Sequence, residues 1–424
     1  MSGTGLYEEL EWRGLITGST EGLRDAFAAG PVTGYIGFDP TADSLHVGSL
    51  LTMIGLARIQ RFGHLPIAIV GGGTGMIGDP KPTQERPLLS REDIDRNVAG
   101  IRPQLARLLD FESATNPARI VNNADWLASF DLLGFLRDTG KYFTVNYLLQ
   151  KEAVSRRLES EEGISFTEFS YPLLQARDYL ELFDRYGCTL QMGGSDQWGN
   201  ITAGIELVRK LRGARVHGLV WPLLTTSAGT KFGKTEAGTV WLDPIRTSPF
   251  RFYQFWLNTD DRDVDRYLKF FTFLSRDEID ALARATGERP EQREAQRALA
   301  RAVTALVHGE DQVQRAERAA QVLFGGSFEG VGVDDILTVF EDAPSTTIEM
   351  PEDGVGVAEI LARVKLAPSR SEANRLLKSG GVYVNNARVA DEKARLFSAD
   401  AIGGEVFVLR KGRRDNHIVR LQRS

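Results

Sequence analysis

The stretch 35–50 carries residue types and spacing suited to binding a charged ligand. It begins as a short apolar strand, breaks at Pro40 and continues with small residues that favour a helix. A strand that ends in a turn and feeds a helix collects backbone N–H groups and the positive end of a helix dipole, and open α/β sheets bind phosphate groups at such corners. Thr41, His46 and Ser49 can donate hydrogen bonds there. Alone, the pattern fits an ordinary corner with an incidental histidine equally well.

Two lysines three residues apart, Lys231 and Lys234, lie in a glycine-punctuated loop after a predicted strand. Such a pair of cations suits a triphosphate. The loop resembles the end of a Walker A motif. This motif requires a glycine at position 228, where the chain has Ala228, so the match fails. A solvated turn remains the alternative for this segment.

Tyr171, Gln175 and Asp178 are spaced at i, i+4 and i+7, which places them on one face of a helix that we expect to begin at Pro172. Apolar residues cover the other faces of this helix. Because buried polar groups need hydrogen-bond partners, the polar face either contacts solvent or lines a polar pocket.

The segment 73–78 has the form G-x-G-x-x-G, which resembles the fingerprint of a dinucleotide-binding site. Pro80 and Pro82 follow it and cannot continue the long helix whose amino end faces the pyrophosphate in such sites. The prolines therefore disfavour an NAD site. We interpret the segment as a glycine run that lets the backbone approach a ligand, with Asp79 in the cleft.

Gly194 and Asp196 come just after the carboxyl end of a predicted strand. A glycine there allows close approach of a ribose, whose hydroxyls can donate to the carboxylate. The alternative is a strained turn that Asp196 caps.

Positioning these groups requires a sheet, and apolar runs alternate with helical stretches over the first 247 residues. This alternation predicts an α/β fold with a mostly parallel, Rossmann-like sheet and helices on both faces. The predicted strands are 34–38, 66–70, 119–122, 189–192 and 219–224, and the clearest helices are 45–62, 94–109 and 200–212.

After residue 249 the pattern is helical at 251–257, 263–273, 276–285 and 290–308, without a convincing strand. The segment 338–354 lacks periodicity and is interpreted as a linker. A final α+β module follows: Ser369 begins a capping box before a helix at 372–378, and Asn385-Asn386 follows a strand at 382–384 as a tight hairpin turn.

The composition of the 424 residues is that of an ordinary globular protein of two or three domains, with 42% apolar and 25% charged residues. A single cysteine and five scattered histidines predict neither disulfides nor a metal site. No apolar run is long enough to span a membrane, and the amino terminus lacks a signal-peptide core, so we expect a cytoplasmic protein.

The net charge is −6, but residues 356–424 carry 14 Lys and Arg against 7 Asp and Glu. A basic end on an acidic body indicates a polyanionic partner held at that end.

Five motifs occur in order, and together they resemble bacterial-type tyrosyl-tRNA synthetases, which are class I aminoacyl-tRNA synthetases. The motifs are Y-x-G-F-D-P-T-A-D-S-L-H-V-G-S, G-G-x-T-G-x-I-G-D-P, F-T-E-F-S-Y-x-x-L-Q-A-x-D, Q-x-G-G-S-D-Q-W-G-N-I and K-F-G-K-T. The likeness is specific from 35 to 247, continues through S-P-F-R-F-Y-Q-F-W, and ends in a module similar to one in a small-subunit ribosomal protein. It implies a catalytic domain at 1–247, an all-α tRNA-binding domain at 248–337, a linker at 338–354 and an RNA-binding domain at 355–424.

The resemblance also implies a role for individual residues. The HIGH motif of the family falls on 46–49 and its KMSKS motif on 231–235. The residues implied to bind tyrosine are Tyr35 and Asp178 at its hydroxyl, Asp79, Tyr171 and Gln175 at its ammonium group, with Asp39 and Gln197 completing the pocket. The residues implied to bind ATP are Gly37, His46, Ser49, Gly194, Asp196, Lys231 and Lys234, and the catalytic phosphate contacts are Thr41, His46, Lys231 and Lys234. The implied RNA contacts are Arg370, Arg375, Lys378, Arg388, Lys411, Arg413 and Arg414.

Two positions depart from the family pattern and concern only the ATP contacts. Many relatives have histidine where this chain has Ser49, and some have cysteine where it has Ile36. Both substitutions leave the implied amino-acid pocket unchanged.

The implied activity is activation of L-tyrosine by ATP, accompanied by Mg²⁺ and without a tightly bound cofactor, followed by transfer to the 3′-terminal adenosine of tRNA(Tyr). The family also implies a homodimer, with apolar positions around Phe143 and Phe166 at its interface. The alternatives are a tryptophanyl-tRNA synthetase, which shares the fold, and an RNA-binding relative that has lost catalysis.

Overall fold

The computed structural model of the chain describes most of its residues and forms two compact units. The described residues are 5–80, 88–159, 163–227, 229, 232–235, 238–323, 325–341, 343–412 and 415–422. One unit comprises Met1–Thr247 with Phe255–Val307, and the other comprises Ser248–Gln254 with His308–Ser424. These units do not coincide with the domains expected at 1–247, 248–337 and 355–424, whose boundaries stay predictions.

The first unit contains, in its described residues, a six-stranded sheet in the order β1-β6-β5-β2-β3-β4. All neighbours are parallel except β1, which pairs antiparallel with β6 at one edge. The predicted mostly parallel sheet is thus confirmed. The strands are β1 (Gly18–Ser19), β2 (Thr33–Phe38), β3 (Leu65–Val70), β4 (Arg119–Asn122), β5 (Leu190–Gly194) and β6 (His217–Trp221), and a small hairpin adds β7 (Lys234–Thr235) and β8 (Gly238–Thr239).

The order of the strands places a switch point between β2 and β5. From β2 the chain continues outward through β3 and β4, whereas β5 and β6 extend the sheet on the other side. In open α/β sheets the crevice at the carboxyl ends of such a strand pair holds the ligand. Tyr35 of β2 lies opposite Gln191 of β5 at this point.

The bounds of the last predicted strand, 219–224, are wrong, because β6 spans His217–Trp221 and thus begins and ends earlier. Pro222 follows it and has no N–H to donate to a neighbouring strand, which accounts for the end of the strand.

The helix that carries the polar face begins before Pro172, so the predicted start at Pro172 is wrong. It starts at Phe166, where the side chain of Ser165 accepts from the N–H of Glu168 at 3.2 Å, and Pro172 lies inside it. A proline in the second turn removes one backbone bond but keeps a helical φ, and the amino-terminal cap together with the packing of the helix against the sheet sustains it.

Fourteen α-helices lie in the described residues up to 308, and the last four confirm the helical character predicted after residue 249. They are α1 (Leu6–Trp12), α2 (Leu23–Ala29), α3 (Val47–Arg61), α4 (Arg91–Ala106), α5 (Ala124–Leu127), α6 (Leu132–Asp138), α7 (Val145–Leu149), α8 (Glu152–Leu158), α9 (Phe166–Tyr186), α10 (Trp198–Arg212), α11 (Pro249–Leu257), α12 (Asp261–Phe271), α13 (Arg276–Glu288) and α14 (Glu294–His308). Short 3-10 turns lie at Thr74–Met76, Gly140–Tyr142, Ser195–Gln197 and Pro290–Gln292.

The second unit packs helices against a sheet whose order is β12-β11-β14-β15-β9 in its described residues. Its helices are α15 (Glu310–Leu323), α16 (Val333–Val339), α17 (Val357–Arg363) and α18 (Arg370–Ser379), and a 3-10 turn spans Ser398–Asp400. Its strands are β9 (Ser345–Ile348), β10 (Val355–Gly356), β11 (Val382–Val384), β12 (Ala387–Val389), β13 (Arg395–Leu396), β14 (Val406–Lys411) and β15 (Asp415–Leu421).

Local signals in this unit predicted its helix α18 and its hairpin. Ser369 accepts from the N–H of Glu372 at 3.2 Å, and Asn385 and Asn386 adopt φ of 47° and 59° in the turn between β11 and β12. The segment 338–354 differs from the expected linker, because β9 lies within it and pairs parallel with β15. No helix among the residues that the structure describes is long and apolar enough to cross a membrane.

Candidate active site

A cavity of about 750 Å³ opens at the switch point between β2 and β5, where the sheet topology predicts a ligand site. Most predicted tyrosine- and ATP-binding residues line it. They are Tyr35, Gly37, Asp39, His46, Ser49, Asp79, Tyr171, Gln175, Asp178, Gly194, Asp196 and Gln197.

Of the predicted catalytic residues, His46 lines this cavity, and the other three differ in how far the structure describes them. Thr41 is exposed in the turn before α3, where its N–H donates to the carbonyl of Asp39 at 2.9 Å. It does not line the cavity. Lys231 lies outside the described residues, as do Arg413 and Arg414 of the predicted RNA contacts. Lys234 begins β7, but its side chain is outside the described part of the structure.

The inner end of the cavity combines a buried phenol with a buried carboxylate. The side chain of Tyr35 is 2% exposed, and none of the described residues hydrogen-bonds its hydroxyl. Asp178 is 3% exposed and accepts from Asn123 Nδ2 at 2.9 Å and from Trp126 Nε1 at 2.7 Å. A buried hydroxyl without a partner is costly, so a ligand that supplies a hydrogen bond there gains affinity.

Burial dominates the ionisation of Asp178. Burial raises the pKa of this carboxyl, the hydrogen bonds from Asn123 and Trp126 lower it, and the charges of Asp39 and Glu181 raise it, so that the resulting pKa is about 7. Burial, followed by the charge of Asp178, likewise raises the pKa of Tyr35 well above its usual value. Tyr35 therefore stays a neutral phenol at physiological pH.

A second carboxylate, Asp39, is held at the end of β2 by two hydroxyls. Tyr171 donates to its Oδ2 at 2.9 Å, and Thr74 donates to its Oδ1 at 2.9 Å. Burial, followed by the charges of Asp39 and Asp79, raises the pKa of Tyr171 well above its usual value, so this phenol also keeps its proton.

A third carboxylate, Asp79, is fixed by a network of amides. Gln197 Nε2 donates to it at 2.8 Å and Asn200 Nδ2 at 3.1 Å. Asn200 also donates to Gln175 Oε1 at 3.0 Å, and Gln175 Nε2 donates to Gln197 Oε1 at 3.2 Å. Carboxylate and amide oxygens converge here, and these are the acceptors that an ammonium group requires.

The corner at residues 35–50 supplies the outer end of the cavity. His46 is the N-cap of α3, and its Nδ1 accepts from the N–H of Gly48 at 3.0 Å. In the neutral imidazole the proton is therefore on Nε2, which is the form that can donate to a phosphate oxygen.

The hairpin β7–β8 is anchored next to this corner. Phe232 is buried among the rings of Phe255, Trp256, Tyr267 and Phe271, at centroid distances of 5.6, 5.7, 5.1 and 5.4 Å. Gly233 follows with a φ of 80°, and a Cβ there would lie 2.7 Å from Cγ2 of Val47. Only glycine allows this approach of the hairpin to the amino end of α3.

Sequence reasoning missed several polar residues of the cavity. Thr74, Asn123, Gln191 and Trp221 line it, and Asn200 and Trp126 hold carboxylates of its wall. Asn123 directly follows β4, so its place at the carboxyl end of a strand was a usable signal. Trp126 and Asn200 lie on helices whose local pattern gives no sign of the carboxylates that they contact.

The predicted RNA contacts of the second unit that the structure describes are surface residues. Arg370, Arg375 and Lys378 of α18 form ion pairs with Glu359, Glu372 and Glu392 at 2.9, 3.4 and 3.1 Å, respectively. Arg388 Nε donates to the carbonyl of Gly380 at 3.0 Å, and Lys411 ends β14. Exposed ion pairs contribute little stability, so these cations can exchange their partners for phosphates.

Comparison with known proteins shows to which family the chain belongs. Residues 28–325 match the family described as tRNA synthetases class I (W and Y), and residues 335–419 match the tyrosine–tRNA ligase SYY-like C-terminal domain. Over 422 residues the chain is 55% identical to the tyrosine–tRNA ligase of Roseiflexus castenholzii, which covers 99% of this chain and 100% of the relative. The chain belongs to the tyrosine–tRNA ligase family.

Further relatives of this family agree with the assignment. The tyrosine–tRNA ligase of Geobacillus stearothermophilus is 50% identical over 419 residues, covering 98% of this chain and 99% of that protein. A C-terminally truncated mitochondrial tyrosyl-tRNA synthetase of Aspergillus nidulans is 34% identical with a TM-score of 0.67, covering 76% of this chain and 94% of that one. A tryptophanyl-tRNA synthetase of Encephalitozoon cuniculi, covering 73% and 87%, has a TM-score of 0.52 but only 14% identity, so it shares the fold alone.

The raised pKa of Asp178 predicts a pH-dependent stability for this tyrosine–tRNA ligase family member. The unfolded chain loses this proton near pH 4 and the folded chain near pH 7, so the free energy of unfolding falls as the pH rises between these values. Asp178→Asn removes the titration. The melting temperature of the variant relative to wild type should therefore rise from pH 4 to pH 7 and then stay level.

Thermal unfolding of both proteins across this range, without ligand, measures the effect. Asp280→Asn, at an exposed position of α13, is the control and should show no such trend. A constant difference between wild type and Asp178→Asn at every pH would contradict the raised pKa.

Proposed function

We propose that the chain activates L-tyrosine with ATP and transfers it to tRNA(Tyr), with the cavity at the switch point as its active site. The observation that carries this proposal is the pairing of the unpartnered Tyr35 hydroxyl with the buried Asp178 carboxylate at the inner end of the cavity. A phenolic hydroxyl of the substrate can donate to Asp178 and accept from Tyr35, which satisfies both groups at once. An indole or a phenyl ring offers no such group.

The remaining polar groups suit the amino-acid end of tyrosine. Its ammonium group donates to Asp79, to Gln175 Oε1 and to the hydroxyl oxygen of Tyr171, whose own proton points to Asp39. Asp39 and Gln197 complete the pocket by fixing Tyr171 and Asp79. The substrate carboxylate is then directed toward the outer end of the cavity, where His46 lies.

We assign ATP, accompanied by Mg²⁺, to this outer end. Gly194 and Asp196 follow β5 and suit the ribose, while His46 and the helix start at 46–49 face the phosphates. Gly37 and Ser49 border the same space. Lys231 and Lys234 of the hairpin segment, and Thr41 of the turn, remain proposed phosphate contacts that require the nucleotide to approach them.

The first chemical step needs no general base, because the substrate carboxylate is already ionised at neutral pH. Its oxygen attacks the α-phosphate, a new C(O)–O–P bond forms, and the bond to the leaving pyrophosphate breaks. The residues of this chain contribute positioning and charge stabilisation: His46 and the lysines donate to the phosphate oxygens as negative charge shifts onto the pyrophosphate. In the second step a hydroxyl of the 3′-terminal adenosine of the tRNA attacks the tyrosyl carbonyl, an ester bond forms, and the bond to AMP breaks, so that AMP leaves.

The experiment that tests the proposal is pyrophosphate exchange dependent on each amino acid. Tyrosine should support exchange, whereas phenylalanine and tryptophan should not. Exchange with tryptophan would instead favour a tryptophanyl-tRNA synthetase, and no exchange with any amino acid would favour an RNA-binding relative without catalysis.

Asp178→Ala should remove the recognition of the substrate hydroxyl. It deletes the acceptor of the substrate hydroxyl, and a hydrogen bond to a charged group, at about 1.5–3 kcal/mol, predicts a loss of roughly 100-fold in kcat/KM for tyrosine. Pyrophosphate exchange with tyrosine and phenylalanine measures activity and discrimination. Asp184→Ala, on the same helix and ion-paired to Arg212, is the control. A variant that activates tyrosine normally and still rejects phenylalanine would show that the pocket is assigned wrongly.

We also propose that the basic face of the second unit binds tRNA(Tyr). The double substitution Arg370→Ala/Arg375→Ala should raise KM for tRNA and lower the slope of log KM against log salt by about two, because two phosphate contacts are lost. Pyrophosphate exchange should be unchanged. Glu359→Gln releases Arg370 from its pair and should leave KM for tRNA unchanged or lower. Equal tRNA affinity of wild type and double variant would exclude these two contacts.

Dimerisation is proposed from the apolar surface of α6 to α9. Leu133 and Phe166 are 77% and 75% exposed, and Leu132 and Val145 are exposed on the same run of elements. Phe143, which the resemblance placed at the interface, is buried within the core of its own chain instead. Exposed apolar residues in such number are typical of a surface that another chain covers. We expect the assembly to act in the cytoplasm.

Leu133→Glu/Phe166→Glu should separate the dimer, because two charges would have to be buried at its interface. Light scattering measures the mass, which should correspond to two chains in wild type and one chain in the variant. Ile245→Glu is the control, since Ile245 is 94% exposed on a different segment. A wild-type mass of one chain would contradict the dimer.

A further inference from the structure

Helix α4 contacts the turn 40–45 that precedes α3, although α4 itself contributes no residue to the cavity wall that the structure describes. Asn97 is buried and donates from Nδ2 to the carbonyl of Pro40 at 2.9 Å. Seven residues on, Gln104 accepts the N–H of Leu45 at Oε1, at 2.8 Å, and donates from Nε2 to Ser44 Oγ at 3.1 Å. The spacing puts both side chains on one face of α4, so they hold both ends of the turn.

Gly100 lies between them on the same face and brings the two backbones together. A Cβ at this position would lie 2.0 Å from the carbonyl oxygen of Asp43, a distance that no side chain can adopt. We name Asn97, Gly100 and Gln104 the α4 stripe. The turn is thus bound at three successive points by one rigid helix.

Ser44 connects the turn 40–45 to a second segment of the chain, at residue 243. Its hydroxyl donates to the carbonyl of Leu45 at 2.7 Å and accepts from Gln104 and from the N–H of Asp243, the latter at 3.2 Å. One donor and two acceptor positions are the full capacity of a hydroxyl. Any movement of Gln104 therefore weakens its hydrogen bond to the buried Ser44 hydroxyl, which connects α4 to residue 243.

The segment 240–243 is in turn paired with the start of α3 and with the hairpin. The N–H of Val47 donates to the carbonyl of Val240 at 3.0 Å, and that of Leu242 to the carbonyl of Leu45 at 2.9 Å. His46 and Trp241 form an isolated antiparallel bridge between these bonds. The N–H of Val240 donates to the carbonyl of Gly233 at 3.1 Å, which continues the connection into β7–β8.

We propose that the α4 stripe positions the ATP end of the active site, by holding His46 and the β7–β8 hairpin in one fixed relation. This inference rests on the proposed function, which assigns ATP to the space between these elements. Asn97, Gly100 and Gln104 are positioning residues that act through the turn 40–45 and through Ser44. Small displacements of groups that contact reacting phosphates lower rates strongly. The hydrogen bonds of the stripe in the described residues go to Pro40, Ser44 and Leu45, and none goes to a side chain of the proposed tyrosine pocket.

A stripe that only stabilised the fold would predict a different outcome. Loss of its hydrogen bonds would lower the melting temperature and leave the kinetic constants of the remaining folded enzyme unchanged. The two roles are therefore separated by comparing the constants for ATP with those for tyrosine at matched loss of stability.

Gln104→Met removes both hydrogen bonds at nearly constant size, and Gln104→Glu keeps the acceptor for the N–H of Leu45 but loses the donor to Ser44. Gln60→Met is the matched control. Gln60, near the end of α3, also accepts one backbone N–H, that of Asp110 at 2.9 Å, and donates to the carbonyl of Asn116 at 3.0 Å. Tyrosine-dependent pyrophosphate exchange is measured with ATP varied and then with tyrosine varied, together with the melting temperature of each variant.

We expect Gln104→Met to lower kcat/KM for ATP about ten-fold with KM for tyrosine unchanged, and Gln104→Glu to lie between it and wild type. Gln60→Met should lose melting temperature without any kinetic change. Equal kinetics of Gln104→Met and Gln60→Met, or an equal change for ATP and tyrosine, would overturn the proposal. Absence of exchange in wild type would instead contradict the proposed function itself.

Two further variants keep the test decisive should Gln104→Met fold poorly. Ser44→Ala removes the hydroxyl that joins Gln104 to residue 243, and combined with Gln104→Glu it should add little to the defect in ATP use, because both break the same connection. Gly100→Ala places a better helix former in α4 but forces the turn away from it. It should impair ATP use more than tyrosine use. Additive effects of the first pair together with wild-type kinetics of Gly100→Ala would refute the role of the stripe.

Discussion

The burial of the Asp178 carboxylate is the interaction on which the architecture of the site depends. A carboxylate removed from water is tolerated only when donors replace its hydration, and here Asn123 and Trp126 supply them. Asn123 also accepts from the backbone of Gly73 at 2.7 Å and donates to Thr74 Oγ1 at 2.9 Å. The support of one buried charge thereby fixes the end of β4, the glycine segment after β3 and the central helix α9 relative to each other.

The same network extends to the other two carboxylates of the cavity. Thr74 donates to Asp39, which also receives the Tyr171 hydroxyl, and the amides of Gln197 and Asn200 hold Asp79. Three carboxylates in one cavity of about 750 Å³ repel one another, and Asp39 contributes to the raised pKa of Asp178. A ligand that brings a positive ammonium group relieves this repulsion, so the site favours an amino acid over a neutral phenol through electrostatics as well as hydrogen bonds.

Residue spacing was sufficient to predict the polar face of α9, since Tyr171, Gln175 and Asp178 are neighbours in one helix. It was not sufficient for Trp126 or Asn200, because each meets its carboxylate only after distant segments have packed together. The sequence did not predict strand β9 for the same reason: its partner β15 is about 70 residues away, and a single short strand carries little local pattern. The predicted start of α9 at Pro172 is wrong because proline favours the first turn of a helix in general, whereas the cap at Ser165 decides where this helix begins.

The two ends of the cavity differ in how they are held, and this difference bears on function. The proposed tyrosine end is built from α9, β2 and the segment after β4, where a buried network holds the carboxylates and leaves the Tyr35 hydroxyl for a ligand. The proposed ATP end joins a helix start to a short hairpin through a few backbone hydrogen bonds and the ring cluster around Phe232. In the proposed function the nucleotide enters and pyrophosphate leaves between these two elements, so their relative position decides how the phosphates are held. The α4 stripe binds the turn before α3 directly and reaches the segment next to the hairpin through Ser44 and residue 243, so it holds the two elements in one fixed relation.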